Sequence, residues 1–180
     1  MLNRTIAILL SFLLLPIFII CSIFIAIIDG FPILFIQKRS GQYNTFFSIY
    51  KFRTMKIGTP NIATDKLLDK PFYFGGQLLR KLSIDEFPQL INIIRGDMNF
   101  IGPRPALYNQ HHLIQKRKDL GISNIKPGIT GWAQVNGRDK ISEEEKIQLD
   151  SYYLKNKSFM LDISILLRTF LKVISIKDIN

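Results

Sequence analysis

The chain has 180 residues, enough for one sizeable core and too few for two ordinary domains, so one globular body with an appendage is expected. A formal net charge of +10 makes anions its natural partners, without choosing among nucleic acid, anionic lipid headgroups and phosphorylated small molecules. The single cysteine, Cys21, excludes an internal disulfide framework, and nothing points to an oxidising compartment.

Residues 5–28, TIAILLSFLLLPIFIICSIFIAII, carry no charge, and the first 30 residues hold only Arg4 and Asp29. As one helix this run would measure about 36 Å, enough to cross a hydrocarbon core about 30 Å thick. Pro16 falls near its middle, removes a backbone hydrogen bond, and predicts a kink or a break into two arms of about 18 Å each. Such arms reach about mid-bilayer and return, and Arg4 on one side with Lys38 and Arg39 on the other favours cytoplasmic placement of both ends. The residues alone leave a single span and a re-entrant hairpin both open. A cleaved signal peptide fits less well, because the run exceeds an ordinary apolar region and no small-x-small site follows. The organisation read here is a membrane segment over 1–30 and a body over 31–180.

After the Asp29-Gly30 break, PILFIQ reads as a strand, KRSGQYN as a turn and TFFSIYKFRTM as a second strand, together a hairpin. On the second strand Lys51 and Arg53 share one face, a spacing that suits a diphosphate as well as a solvated surface. The polar segment 57–76, with Gly58, Pro60, Pro71, Gly75 and Gly76, reads as a lid-like loop.

SIDEFPQLINIIRGD follows. Ser83 with Glu86 three residues on reads as a capping box, which places Asp85 and Glu86 in the first turn of a helix beginning near 83–86. The amino-terminal end of a helix favours negative charge, so two adjacent carboxylates there remain ionised, either as plain solvated caps or as working acids. GDMNFIGPRPALYN then holds Arg104 between two prolines that stiffen its backbone. KPGITGWAQVNGRDK sets Lys126, Gln134, Asn136 and Arg138 among Gly128, Gly131 and Gly137, a composition able to cradle phosphate. His111 and His112, beside QKRK, read as solvated.

The last segment, DISILLRTFLKVIS, has helical period. Ile163, Leu166, Leu167, Phe170, Leu171 and Ile174 fall on one face and Arg168 and Lys172 on the other. Packing of that face on the core is the ordinary expectation, and a place in the membrane interface is the alternative. No internal repeat, heptad array or metal-type Cys/His spacing is present. The fold class expected is helix-rich α/β, of the α+β kind, with a short β-hairpin and amphipathic helices.

An acidic pair that can hold a divalent cation or attack, together with several cations able to neutralise a diphosphate, points to phosphoryl-group transfer to a lipid. The blocks FIQKRSGQYNTFFSIYKFRTM, LLRKLSIDEFPQLINIIRGDMNFIGPRP, KPGITGWAQVNGRD and DSYYLKNKSFMLDISILLRT, in that order, resemble the bacterial sugar transferase family, specifically the small monotopic phosphoglycosyl transferases of the PglC-like type. The resemblance implies transfer of a phosphosugar from a UDP-sugar to a polyprenol phosphate, typically undecaprenyl phosphate, with release of UMP. It implies Asp85 as a nucleophile forming a covalent phosphosugar intermediate, Glu86 beside it, and Mg²⁺ held at Asp85. Arg104 and Arg138 are implied to meet phosphate or nucleotide, Asp162 to support them, and Lys51 and Arg80 to line the substrate site. It also implies a re-entrant helix broken at Pro16, a cytoplasmic catalytic body, and residence in the bacterial inner membrane.

Three rival readings stand beside this one: a membrane-associated UDP-sugar hydrolase, a non-catalytic membrane-anchored scaffold, and a basic nucleic-acid binder. The last is disfavoured because most of the 14 Phe lie in apolar runs and not among basic residues on an open platform.

Overall fold

The computed structural model describes residues 1–60, 71–137 and 141–174. The centre of the expected lid over 57–76 and the whole of Arg138 lie outside the described residues. The described chain is helix-rich, with two small two-stranded sheets, and divides into two compact units. One comprises Met1–Gln37 and Ser48–Arg95, the other Lys38–Phe47 and Gly96–Asp178.

The first unit begins with two helices, α1 (Leu2–Leu13) and α2 (Leu15–Asp29), bent by 61° at Leu14. Pro16 sits in the first turn of α2, where its missing N–H is least costly to that helix. The bond it cannot make is the one that would have carried α1 onward, so the bend falls two residues before it. Among the described residues no single helix is long and apolar enough to cross a membrane, but this bent pair passes that test together.

The expected hairpin is present: β1 (Leu34–Ser40) pairs with β2 (Phe46–Phe52) across a tight turn held by Gly41 N–H donating to Thr45 O at 2.6 Å. Next come α3 (Gly76–Lys81), a 3₁₀ turn (Ile84–Gln89) and α4 (Leu90–Arg95). The core of this unit is Cys21, Ile25, Phe52, Tyr73 and Leu79, with Phe18 and Phe52 ring centroids 5.4 Å apart. Helix α1 packs on α4, and Arg4 Nη2 donates to the carbonyl of Arg95 at 3.2 Å. A cation at the carboxyl end of a helix is favourably placed.

In the second unit, β3 (Asn99–Ile101) runs parallel to β4 (Gly128–Thr130), with Asn99 opposite Gly128 and Ile101 opposite Thr130. Around them lie α5 (His111–Asp119), α6 (Trp132–Asn136), α7 (Glu143–Asn156) and α8 (Phe159–Ile174). Val135, Tyr153 and Ile165 form one cluster, and Ala106, Leu113, Ile122 and Ile147 another. A capping box does occur here, unforeseen: Ser142 Oγ accepts from Glu145 N–H at 3.1 Å, and Glu145 Oε2 accepts from Ser142 N–H at 2.8 Å.

Helix α8 corrects the expectation of a core-packed apolar stripe. Ile165 is fully buried, and Thr169 bonds Thr130 through the two hydroxyls at 2.7 Å, so the inner face carries Leu161, Ile165 and Thr169. The stripe Ile163, Leu166, Leu167, Phe170 and Leu171 faces outward, and Phe170 and Leu171 are each 63% exposed.

Candidate active site

Asp85 and Glu86 lie in the 3₁₀ turn and are only 5% and 8% exposed. They are therefore not solvated capping acids. The predicted capping box is absent: Ser83 adopts φ 56°, and its side chain makes no cap bond. Pro88, two residues after Glu86, has no N–H and crowds the residue before it, so the segment winds as 3₁₀ before entering α4.

Lys51, on β2, reaches this pair. Its Nζ lies 2.7 Å from Glu86 Oε1, with the two side chains 12% and 10% exposed. The approach is fixed by Asn92 of α4, which is fully buried: its Nδ2 donates to Ser48 O at 2.7 Å and its Oδ1 accepts from Tyr50 N–H at 3.2 Å. The amide thus stands in for a neighbouring strand along β2, and it seats the helix that follows the dyad against the strand that carries Lys51.

Arg53 plays a different part from the diphosphate ligand its spacing suggested. It is 6% exposed; its Nη1 pairs with the Asp29 carboxylate, Nε donates to Pro32 O at 2.7 Å, and Nη2 donates to Asp29 O at 3.0 Å and Gly30 O at 2.7 Å. Tyr73 closes this knot by donating its hydroxyl to Arg53 O at 2.5 Å. Burial pushes the Tyr73 phenol up to about 12, with Arg53 opposing and Asp29, Cys21 and Asp85 adding to the rise. Arg80 sits on α3, its guanidinium 6.0 Å from the Phe72 ring centre and 3.9 Å from Met55 Sδ.

Among the described residues no group of three or more His, Cys, Asp or Glu side chains gathers as a cage for a metal ion. Mg²⁺ is commonly held by one or two carboxylates and completed by substrate phosphates and water, and the adjacent Asp85 and Glu86 fit that donor set.

The second unit positions Arg104 and Asp162. The GPRP segment is joined to KPGITG so closely that a Cβ on Gly102 would lie 2.4 Å from Lys126 O, on Gly128 2.1 Å from Gly102 N, and on Gly131 2.1 Å from Gly102 O. These glycines serve backbone-to-backbone contact between the two loops. Beneath lies Arg117, which nothing in the local sequence singled out. It is 7% exposed, donates from Nε and Nη2 to Asp150 Oδ2 at 3.0 and 2.5 Å, and from Nη1 to the carbonyl of Arg104 at 2.8 Å. Burial pushes the Asp150 carboxyl up, opposed by Arg117 and Lys146. A small pocket bounded by Gly41, Asn44, Arg104, Ile114, Arg117 and Ile125 opens on this side.

Asp162, in the first turn of α8, accepts from the Tyr153 hydroxyl at 2.8 Å and ties α7 to α8. Nearby, Trp132 stacks on Tyr152 with centroids 5.5 Å apart and carries the Arg168 guanidinium 5.0 Å above its ring. Of the residues predicted for the site, Lys51 and Glu86 are in direct contact, with Asp85 adjacent and Arg80 in the same unit. Arg104 and Asp162 belong to the other unit.

A profile for the family described as bacterial sugar transferase matches residues 1–176. The uncharacterized sugar transferase EpsL of Bacillus subtilis (strain 168) is 46% identical over 149 residues, which cover 81% of this chain and 71% of the relative. The undecaprenyl-phosphate galactose phosphotransferase of Salmonella typhimurium (strain LT2) is 31% identical over 182 residues, covering 84% of this chain and 38% of that protein. The UDP-glucose:undecaprenyl-phosphate glucose-1-phosphate transferase of Xanthomonas campestris pv. campestris is 36% identical over 156 residues, covering 81% and 32%. The chain thus spans most of EpsL but only about a third of the other two proteins. With a match running through nearly its whole length, the chain belongs to the bacterial sugar transferases.

Proposed function

We propose that this chain transfers a sugar 1-phosphate from a UDP-sugar to a polyprenol phosphate, undecaprenyl phosphate in bacteria, and releases UMP. The observation that carries the reading is the buried Asp85–Glu86 pair with Lys51 on Glu86, in a chain of this family. The activities for which the Salmonella and Xanthomonas relatives are named support the acceptor and, for the latter, the donor class.

In this reading an Asp85 carboxylate oxygen attacks the sugar-bearing phosphorus. The bond from that phosphorus to the bridging oxygen breaks, and UMP departs with the electron pair. A phosphate oxygen of the polyprenol phosphate then attacks the aspartyl-phosphosugar, the Asp85–phosphorus bond breaks, and the carboxylate is restored. Splitting one exchange between two diphosphates into two steps is the service a carboxylate nucleophile performs. Lys51 holds Glu86 in place and brings positive charge to the reacting phosphates. Mg²⁺ bound at Asp85, with Glu86 beside it, would neutralise phosphate charge. Arg104 and Arg138 are assigned to phosphate or nucleotide, Arg80 to the substrate site, and Asp162 to support.

The bent pair α1 and α2, within residues 1–30, is proposed to enter the bilayer and return, leaving the body over 31–180 on the cytoplasmic face of the inner membrane. Arms of 12 and 15 residues span about 18 and 22 Å, short of a hydrocarbon core of about 30 Å. The exposure of Leu9, Phe12, Leu13, Ile20 and Ile27, and the outward stripe of α8, support contact with lipid.

The test is UMP release from a panel of UDP-sugars by purified protein with undecaprenyl phosphate and Mg²⁺, omitting each component in turn. Release that requires the lipid phosphate and falls by about a thousandfold or more in Asp85→Asn supports the proposal. Release without lipid phosphate makes the protein a hydrolase, and no release from folded protein removes the transferase reading.

A further inference from the structure

Helix α3 lies against both α2 and the turn that carries the dyad, and the chemistry assigned above gives its open side no task. Gly75, the residue before α3, meets α2 so closely that a Cβ there would lie 2.6 Å from Phe24 Cζ, and its φ of 80° is one that glycine adopts freely. Leu79 of α3 is buried with Cys21 and Ile25 of α2, and Ile84, the residue before Asp85, packs on the same cluster. Helix α3 also packs on the 3₁₀ turn itself. All of these residues belong to the first unit.

What α3 leaves outside is apolar and basic. Phe74, at its entrance, is 80% exposed and Leu78 is 59% exposed, while Arg80 and Lys81 stand in its last turn. Exposed apolar surface next to cations suits a ligand whose apolar chain ends in an anionic head. On the transferase reading, on which this inference rests, the acceptor is such a molecule, an isoprenoid chain joined directly to a phosphate that must reach Asp85. The isoprene units nearest that phosphate leave the hydrocarbon core with it, and apolar protein surface offsets the cost. Helix α3 supplies such surface in contact with the dyad turn. We propose that Phe74 and Leu78 form an acceptor-binding surface, which takes the isoprene units next to the phosphate of a polyprenol phosphate and leaves the rest of the chain in the bilayer.

Two experiments decide this, the first with no dependence on turnover. Full-length, detergent-solubilised wild type and the double variant Phe74→Ser with Leu78→Ser are melted with undecaprenyl phosphate or with dioleoyl phosphatidic acid, which carries the same phosphate monoester on two acyl chains. Undecaprenyl phosphate should raise the wild-type Tm by about 3 °C or more beyond the shift given by phosphatidic acid, and the double variant should lose that excess. Equal shifts with the two lipids in wild type, or an excess that survives in the variant, would overturn the proposal. Both proteins should float equally with phosphatidylethanolamine–phosphatidylglycerol vesicles; loss of flotation in the variant would assign the two side chains to the bilayer instead and overturn it.

The second experiment compares UMP release. In the double variant kcat/KM for undecaprenyl phosphate should fall about tenfold, with kcat/KM for the UDP-sugar within about twofold of wild type. An equal loss for both substrates, or no loss for the acceptor, would overturn the proposal. If wild type turns over no donor, the transferase reading fails, and the melting comparison still decides whether Phe74 and Leu78 seat a polyprenol phosphate.

Discussion

Replacing Arg117 by Met tests how the second unit holds its arginine loop. The guanidinium makes two bonds to Asp150 and one to the carbonyl of Arg104, and Asp150 is 1% exposed. Removing one partner of a buried ion pair costs about 3–5 kcal/mol, and the lost bond to the Arg104 carbonyl adds about 1 kcal/mol. The expected loss of about 4–6 kcal/mol is comparable to the whole stability of a marginal domain and lowers Tm by about 10–20 °C. The double replacement Arg117→Met with Asp150→Leu removes both charges, so it should recover most of that loss.

Acid should relieve the single variant. Burial pushes the Asp150 carboxyl up, and only Arg117 and Lys146 oppose it, so without Arg117 the folded protein binds that proton more tightly than the unfolded chain does. A raised folded value gives stability that is present at low pH and lost as pH rises through it, so the deficit should narrow as pH falls from neutral toward 5. Thermal melts at pH 5 and 7.5 in one detergent read all of this. A fall of less than about 3 °C at pH 7.5, or a double variant no better than the single, would refute the reasoning.

Three further outcomes follow from the described geometry. Gly128→Ala would place a Cβ 2.1 Å from Gly102 N, and should destabilise by about 1–3 kcal/mol or more and lower kcat/KM through Arg104; an unchanged melt would remove the close-contact argument. Tyr73→Phe loses the bond to Arg53 O and should cost about 1 kcal/mol at pH 7. Because the Tyr73 phenol is raised to about 12, wild-type stability should fall between pH 10 and about 12, and Tyr73→Phe should show less of that fall in alkaline melts. In a Cys21-free background, cysteines at positions 2 and 57 should react with a membrane-impermeant thiol reagent from the same side of sealed vesicles, whereas opposite labelling would establish a span.

What the sequence made legible was local. Alternation and turn residues mark the hairpin and Pro16 marks the break between α1 and α2, while the adjacent carboxylates and GPRP stand out as residues costly to place idly. Period alone marks α8 as two-faced, but which face turns inward depends on Thr130 and the strands it meets, far away in sequence. Ser83 and Ser142 both precede a glutamate by three residues, yet only Ser142 forms the box, since a proline follows Ser83 at the fifth position. Arg117 with Asp150 and Lys51 with Glu86 are pairs 33 and 35 residues apart, and no spacing rule joins them.

The Arg53 knot has a mechanical consequence. One guanidinium grips the Asp29 carboxylate and the carbonyls of Asp29, Gly30 and Pro32, while its own carbonyl is held by Tyr73. The planar fork fixes direction as well as distance, which a lysine ammonium on a flexible stem cannot do. The end of helix α2 and strand β2 are therefore tied to each other through one side chain, and Lys51 lies two residues from that tie. On the proposed membrane placement, a tilt imposed on α2 would be passed through that tie to the strand that carries Lys51.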